Sequence, residues 1–106
     1  MRIVFTKNAT EALNLVAFGL LEPGDHCITS SMEHNSVMRP LRALEAQGVE
    51  LSLIPCSARG EIDPHEIIPL IKPNTKALFL THASNVTGAI LPVAEAATIA
   101  RDNGLV

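Results

Sequence analysis

Tryptophan and tyrosine are absent from the 106 residues, and three phenylalanines are the whole aromatic complement. Bases would find almost nothing to stack on, and no run of Lys or Arg exists to follow a phosphate backbone. A net charge of −3 argues the same way, so nucleic acid is not an expected partner. Cysteine is equally sparse. Cys27 falls inside a predicted strand and Cys56 just after another, a spacing that makes neither a zinc knuckle nor a disulfide framework. Both are expected as reduced thiols. No apolar run approaches the ~18 residues of a membrane span, and Met1–Phe5 is too short an apolar stretch for a signal peptide. The expectation is a cytoplasmic protein without a membrane partner, in which the Asn-x-Thr tripeptides at Asn8 and Asn85 carry no glycan. Gly-x-Gly-x-x-Gly and Walker-type runs are missing too, as are internal repeats and low-complexity segments.

What is present is an ordinary globular composition, 47% hydrophobic, sized for one domain at most. The chain is organised around Phe5-Thr6-Lys7-Asn8-Ala9-Thr10-Glu11-Ala12-Leu13-Asn14, where a short strand over Arg2–Thr6 runs into a helix over Ala9–Leu21. The first N–H groups of a helix have no intrahelical partner and carry the positive end of its dipole. Phosphate or another anion binds at such an end, with Thr10 adding a hydroxyl and Ala9 leaving room for close approach. The same residues also fit a capping box, Asn8 as N-cap and Glu11 bonding back to its N–H. Locally, both readings stay open.

The Ala9–Leu21 helix is apolar nearly all round, which predicts burial on most faces, and Pro23-Gly24 ends it in a turn. His26–Thr29 is predicted as a strand opening into Ser30–Ser36. A helix follows with Arg39-Pro40 near its start and Gly48 at its C-terminal end. Glu50–Ile54 alternates as a strand. Asp63-Pro64-His65-Glu66 starts a helix that Pro69 kinks or shortens. Lys76–Thr81 is a continuous apolar strand of the sort covered on both faces, leading into the loop His82–Gly88. Pro92–Asn103 is the last helix, and Leu105-Val106 opens a further strand. Strand and helix alternate, so the expected architecture is an α/β domain with a mostly parallel sheet and helices on both faces. Ligands collect beyond the carboxyl ends of such strands. The polar loops at Asn8-Ala9-Thr10, Glu33-His34-Asn35 and Ser84-Asn85 all leave strands at that end.

Through Phe5–Asn14, then Met32-Glu33-His34-Asn35-Ser36-Val37, then Ser84-Asn85-Val86-Thr87-Gly88, the chain resembles the class V aminotransferase group of fold-type I pyridoxal-phosphate (PLP) enzymes. The likeness is greatest to the cysteine desulfurase-like branch and spans almost the whole chain. It implies that Ala9 and Thr10 hold the PLP phosphate, that His34 is a catalytic residue lying flat against the pyridine ring, and that Asn85 donates to the phenolic oxygen. It also implies an amino-acid substrate, with cysteine giving up its sulfur as the favoured case, and a homo-oligomer.

The chain departs from the family pattern as well. The family's Schiff-base lysine and the Asp that pairs with the pyridine nitrogen have no counterpart here, and none of Lys7, Lys72 and Lys76 fits the lysine position. The desulfurase nucleophilic cysteine is missing too, so neither Cys27 nor Cys56 takes that role. Asn8 stands where the family often has Gly. The expectation is therefore a partial cofactor-binding domain over residues 1–106, truncated at both ends relative to the family and inactive alone. In the same likeness the first strand lies at a far edge of a larger sheet, leaving the strand at Arg2–Thr6 without partners and His26–Thr29 between its two neighbours.

Other readings stand beside it. Ser84-Asn85 with Gly88 also describes a plain turn, and His34 a structural residue. The chain also fits a non-catalytic α/β module that binds phosphate or a nucleotide at Ala9-Thr10. A metal shared by His34 and His82 lacks close-spaced ligands to support it.

Overall fold

A computed structural model describes residues 3–106. In chain order it holds α1 (Ala9–Leu20), β1 (His26–Ser30), α2 (Asn35–Glu45), β2 (Glu50–Ile54), a 3₁₀ helix (Pro64–Leu70), β3 (Thr75–Phe79) and α3 (Val93–Asp102). The strands form one parallel sheet in the order β2-β1-β3, with Cys27 opposite Leu51 on one side and Ala77 on the other. This is the predicted arrangement, with the His26 strand in the middle.

Alternation along the strands sorts the core into two layers. Cys27, Ala77 and Phe79 face Ala17 and Leu21 at the α1 end and Val37, Leu41 and Leu44 of α2. Ile28 and Ile54 face Ile67 of the 3₁₀ helix and Ala96 of α3. Helices therefore cover both faces of the sheet. Burying a side chain such as Ile28, wholly removed from solvent, contributes roughly 1.5–3 kcal/mol.

A central strand must also satisfy the polar groups it buries. The buried Thr29 hydroxyl donates to the Phe79 carbonyl at 3.0 Å. His26, also fully buried, bridges both neighbours, with Nδ1 2.6 Å from Thr75 Oγ1 and Nε2 2.8 Å from Ser52 Oγ.

Several expectations need correction. Of the strand expected over Arg2–Thr6, Arg2 lies outside the described residues, and Ile3 to Thr6 form no strand. Ile3, Val4 and Phe5 are 70%, 80% and 93% exposed, because no sheet edge lies alongside to pair with them. For the same reason α1 buries one face rather than most: Ala17 is buried, while Leu15, Val16 and Phe18 stay about half exposed. Pro40 stands inside α2, which begins five residues earlier at Asn35 with His34 as its N-cap. The helix begun by Asp63-Pro64 is a short 3₁₀ helix containing Pro69, which lacks the N–H an α-helix would use there. β3 lies slightly earlier than expected, since its ladder to β1 ends at Thr29–Phe79.

Candidate functional site

The N-terminus of α1 keeps both local readings. Asn8 caps the helix, its Oδ1 accepting the Glu11 N–H at 2.9 Å. Glu11 does reach back, but to the Lys7 N–H at 2.6 Å rather than to that of Asn8. The cap thus uses the third amide of the helix. The N–H groups of Ala9 and Thr10 donate to nothing among the described residues, and both residues are exposed. Capping and anion binding coexist because they use different amides.

His34 does two things. Its Nδ1 accepts the Ser36 N–H at 3.1 Å and lies 2.9 Å from Ser36 Oγ, capping α2. The ring is exposed as well as anchored. Its capping role was not expected, since His is an uncommon N-cap.

Thr10 and His34 line one depression of about 390 Å³, together with Asn14, Asn35, Ser36, Arg39 and Pro40. Arg39, absent from the sequence-based site, brings the only cationic side chain among those lining residues. Its position became visible only once α2 was seen to start at Asn35. Asn85 is not among the lining residues. It sits exposed on the loop after β3, which is indeed a turn: Ser84 Oγ accepts the Val86 and Thr87 N–H groups, and Gly88 takes a positive φ of 74°. The Asn85 side chain makes no hydrogen bond among the described residues and is available to a ligand.

The two loops that leave β1 and β3 are joined by Glu33. Its Oε1 accepts the Ser30 hydroxyl at 2.7 Å and the Thr81 N–H at 2.8 Å, while Oε2 is buried without a partner among the described residues. Burial raises the Glu33 pKa above the ordinary carboxyl value, opposed by the bonds from Ser30 and Thr81. In the sequence Glu33 stands only as part of a motif, with nothing to mark its burial. A further strut comes from Gly60, whose φ is 78°; a Cβ there would meet Thr87 Oγ1 at 2.8 Å and Met32 Cε at 2.9 Å. The Ser57–Gly60 turn is thereby wedged against both loops.

Lysines are elsewhere. Lys72 pairs with Glu50 at 2.6 Å and Lys76 with Asp25 at 3.0 Å, all four at the amino ends of the strands. The Asp25 carboxyl is held below its ordinary range first by the Glu22 backbone bond and then by Lys76. His82 and His34 gather no metal set: the described residues contain no group of three His, Cys, Asp or Glu side chains able to hold a metal. Nor is any helix among them long and apolar enough to cross a membrane.

The chain is thus a three-layer α/β domain built on a parallel sheet, an architecture in which ligands collect beyond the carboxyl ends of the strands. Comparison makes this specific. The aminotransferase class-V family model matches residues 1–106, and the chain belongs to that family. It is 36% identical over 104 residues to the cysteine desulfurase IscS of Dictyoglomus turgidum, covering 94% of this chain and 26% of that protein. The apo structure of a cysteine desulfurase from Thermococcus onnurineus NA1 superposes with a TM-score of 0.88 at 37% identity, over 97% of this chain and 26% of that one. A C-DES variant with glycine covalently linked to its PLP cofactor superposes with a TM-score of 0.79 at 26% identity, over 92% and 26% of the respective chains. The chain therefore spans about a quarter of the length of the relatives it matches.

Proposed function

We propose that residues 1–106 form part of the cofactor-binding domain of a PLP-dependent enzyme, and that the full-length protein removes sulfur from L-cysteine. The observation that carries this reading is the shared depression: Thr10, in the first turn of α1, and His34, the N-cap of α2 after the central strand, line the same hollow. The relatives named cysteine desulfurase supply the substrate class.

The residues present fit part of PLP. Unpaired amides of Ala9 and Thr10 suit a phosphate, and Arg39 adds positive charge at the same depression. His34 offers a ring face already fixed by its cap. Asn85 offers an uncommitted amide to the phenolic oxygen. When bound, PLP supplies the electron sink for chemistry at the amino-acid α-carbon. The 106 residues hold no lysine suited to carry it, since Lys72 and Lys76 are paired at the amino ends of the strands and Lys7 is exposed just before α1. These residues alone are accordingly expected to be inactive.

The same reading carries a homo-oligomeric, cytoplasmic enzyme. Its test is sulfur release: the full-length protein incubated with PLP, L-cysteine and a dithiol produces alanine, with the released zero-valent sulfur reduced to sulfide as the dithiol is oxidised to its disulfide, and His34→Ala lowers the rate at least tenfold. A protein that binds PLP but leaves cysteine untouched would reject the substrate and keep the cofactor site.

A further inference from the structure

We propose that Glu33 is the positioning residue of this site: one carboxyl oxygen fastens the loop carrying His34 to the end of β3, from which the loop carrying Asn85 departs. The proposal rests on the PLP reading for its consequence in function, but not for the staple itself.

The geometry is specific. β1 ends at Ser30, and beyond that point no backbone carbonyl of β1 continues the ladder to β3. The Thr81 N–H is instead taken by Glu33 Oε1 at 2.8 Å, across a sequence separation of 48 residues. Glu33 thus does with a side chain what the strand would have done with its backbone. Ser30 secures the carboxyl from below: its buried hydroxyl donates to the same oxygen at 2.7 Å and accepts the Met32 N–H at 3.2 Å. The β1–α2 loop is therefore folded back on itself and clamped through one atom to Thr81, two residues beyond the end of β3. His34 is the next residue along, and its own ring is anchored to Ser36. Loss of the clamp would free the base of that loop while leaving the α2 cap intact.

Oε2 is buried and has no partner among the described residues, so the staple is carried by Oε1 alone. Gln is isosteric with Glu and keeps an oxygen at that position. Its carbonyl can accept from both Ser30 and Thr81, whereas Ala removes the acceptor and Asp is too short to reach.

The test measures Thr81 amide exchange and PLP affinity in the full-length protein and its E33Q, E33A and E33D variants. E33A and E33D are expected to speed Thr81 exchange at least tenfold and to weaken PLP binding about tenfold or more, with E33Q within about threefold of wild type in both. Should E33A fail to fold, E33D carries the same prediction. Unchanged Thr81 exchange in E33A or E33D overturns the staple. Faster exchange with unchanged PLP affinity overturns the positioning role. Absence of PLP binding in the wild type would instead sink the cofactor reading and, with it, the positioning role, while Thr81 exchange still decides the staple.

Discussion

The Leu78 N–H donates to the Val106 carbonyl at 2.9 Å, and Val106 returns its own N–H to the Lys76 carbonyl at 3.0 Å. Val106 is thus bonded along the outer edge of β3, where the sequence led us to expect a strand to open, although residues 105–106 form none. Apolar hollows flank that edge on both faces, one lined by Ala96, Ala100 and Leu105 and the other by Leu13, Val16 and Leu20. Added to the exposed Ile3, Val4 and Phe5, this is more open edge and apolar surface than a stable monomer shows. The 106 residues expressed alone are expected to self-associate at micromolar concentration. Light scattering is the check, and a monodisperse monomer with a cooperative melt would count against it.

Gly60→Ala is expected to destabilise the full-length protein by roughly 1–3 kcal/mol, from the cost of a non-Gly residue at positive φ. The added Cβ would also press on Thr87 Oγ1 and Met32 Cε, so the Asn85 loop must shift. A drop in the urea midpoint accompanied by weaker PLP binding is the predicted pair of effects.

His26 links stability to pH. Burial is the main cause holding its pKa below the ordinary 6.5, with Lys72 adding and Glu50 opposing. The unfolded chain therefore takes up a proton first as pH falls through 6.5, and stability declines from there toward the lower folded value. Above 6.5 this contribution is fully present. In His26→Asn the decline between pH 7.5 and 5 should be shallower than in wild type, read from urea midpoints. The variant should also be less stable throughout, by about 1–3 kcal/mol, since Thr75 and Ser52 lose a partner.

Cys27 is wholly buried, and burial, with a smaller contribution from Glu45, pushes its thiol up to about 11. Thiolate is the reactive form. At pH 8 Cys27 is expected to resist alkylation in the folded protein and to label only on unfolding. Cys56 is part-exposed, with Sγ 3.0 Å from Ser31 Oγ, and should label first. Mass-spectrometric mapping of alkylated peptides distinguishes the two.

Fold was legible where local chemistry and periodicity agreed. Asp63-Pro64 marked a helix start, Glu50–Ile54 alternated, and the order of the strands followed from the family likeness. Sequence was silent where tertiary partners decide. Nothing in Arg2–Thr6 reveals that a strand-like segment has no edge to join, and nothing in Ala9–Leu21 tells which apolar face stays open. Pro40 misled because proline is most at home in a first turn, yet α2 tolerates it in its interior, where Leu41 and Leu44 are buried against the sheet. Of the proposed site, the helix end at Thr10 and the ring at His34 are the parts that neighbouring residues in the sequence suggest. Glu33 and Arg39 are not among them, because their importance lies in contacts across loops.

We propose that Thr10, His34 and Asn85 grip one ligand. The most direct test is an absorbance titration of the full-length apoprotein with PLP, repeated for Thr10→Val, His34→Ala and Asn85→Ala. The account predicts a new band at the edge of the visible in wild type, with affinity about tenfold or more weaker in each variant. Wild-type affinity in any one of the variants, or no band in the wild type, would contradict it.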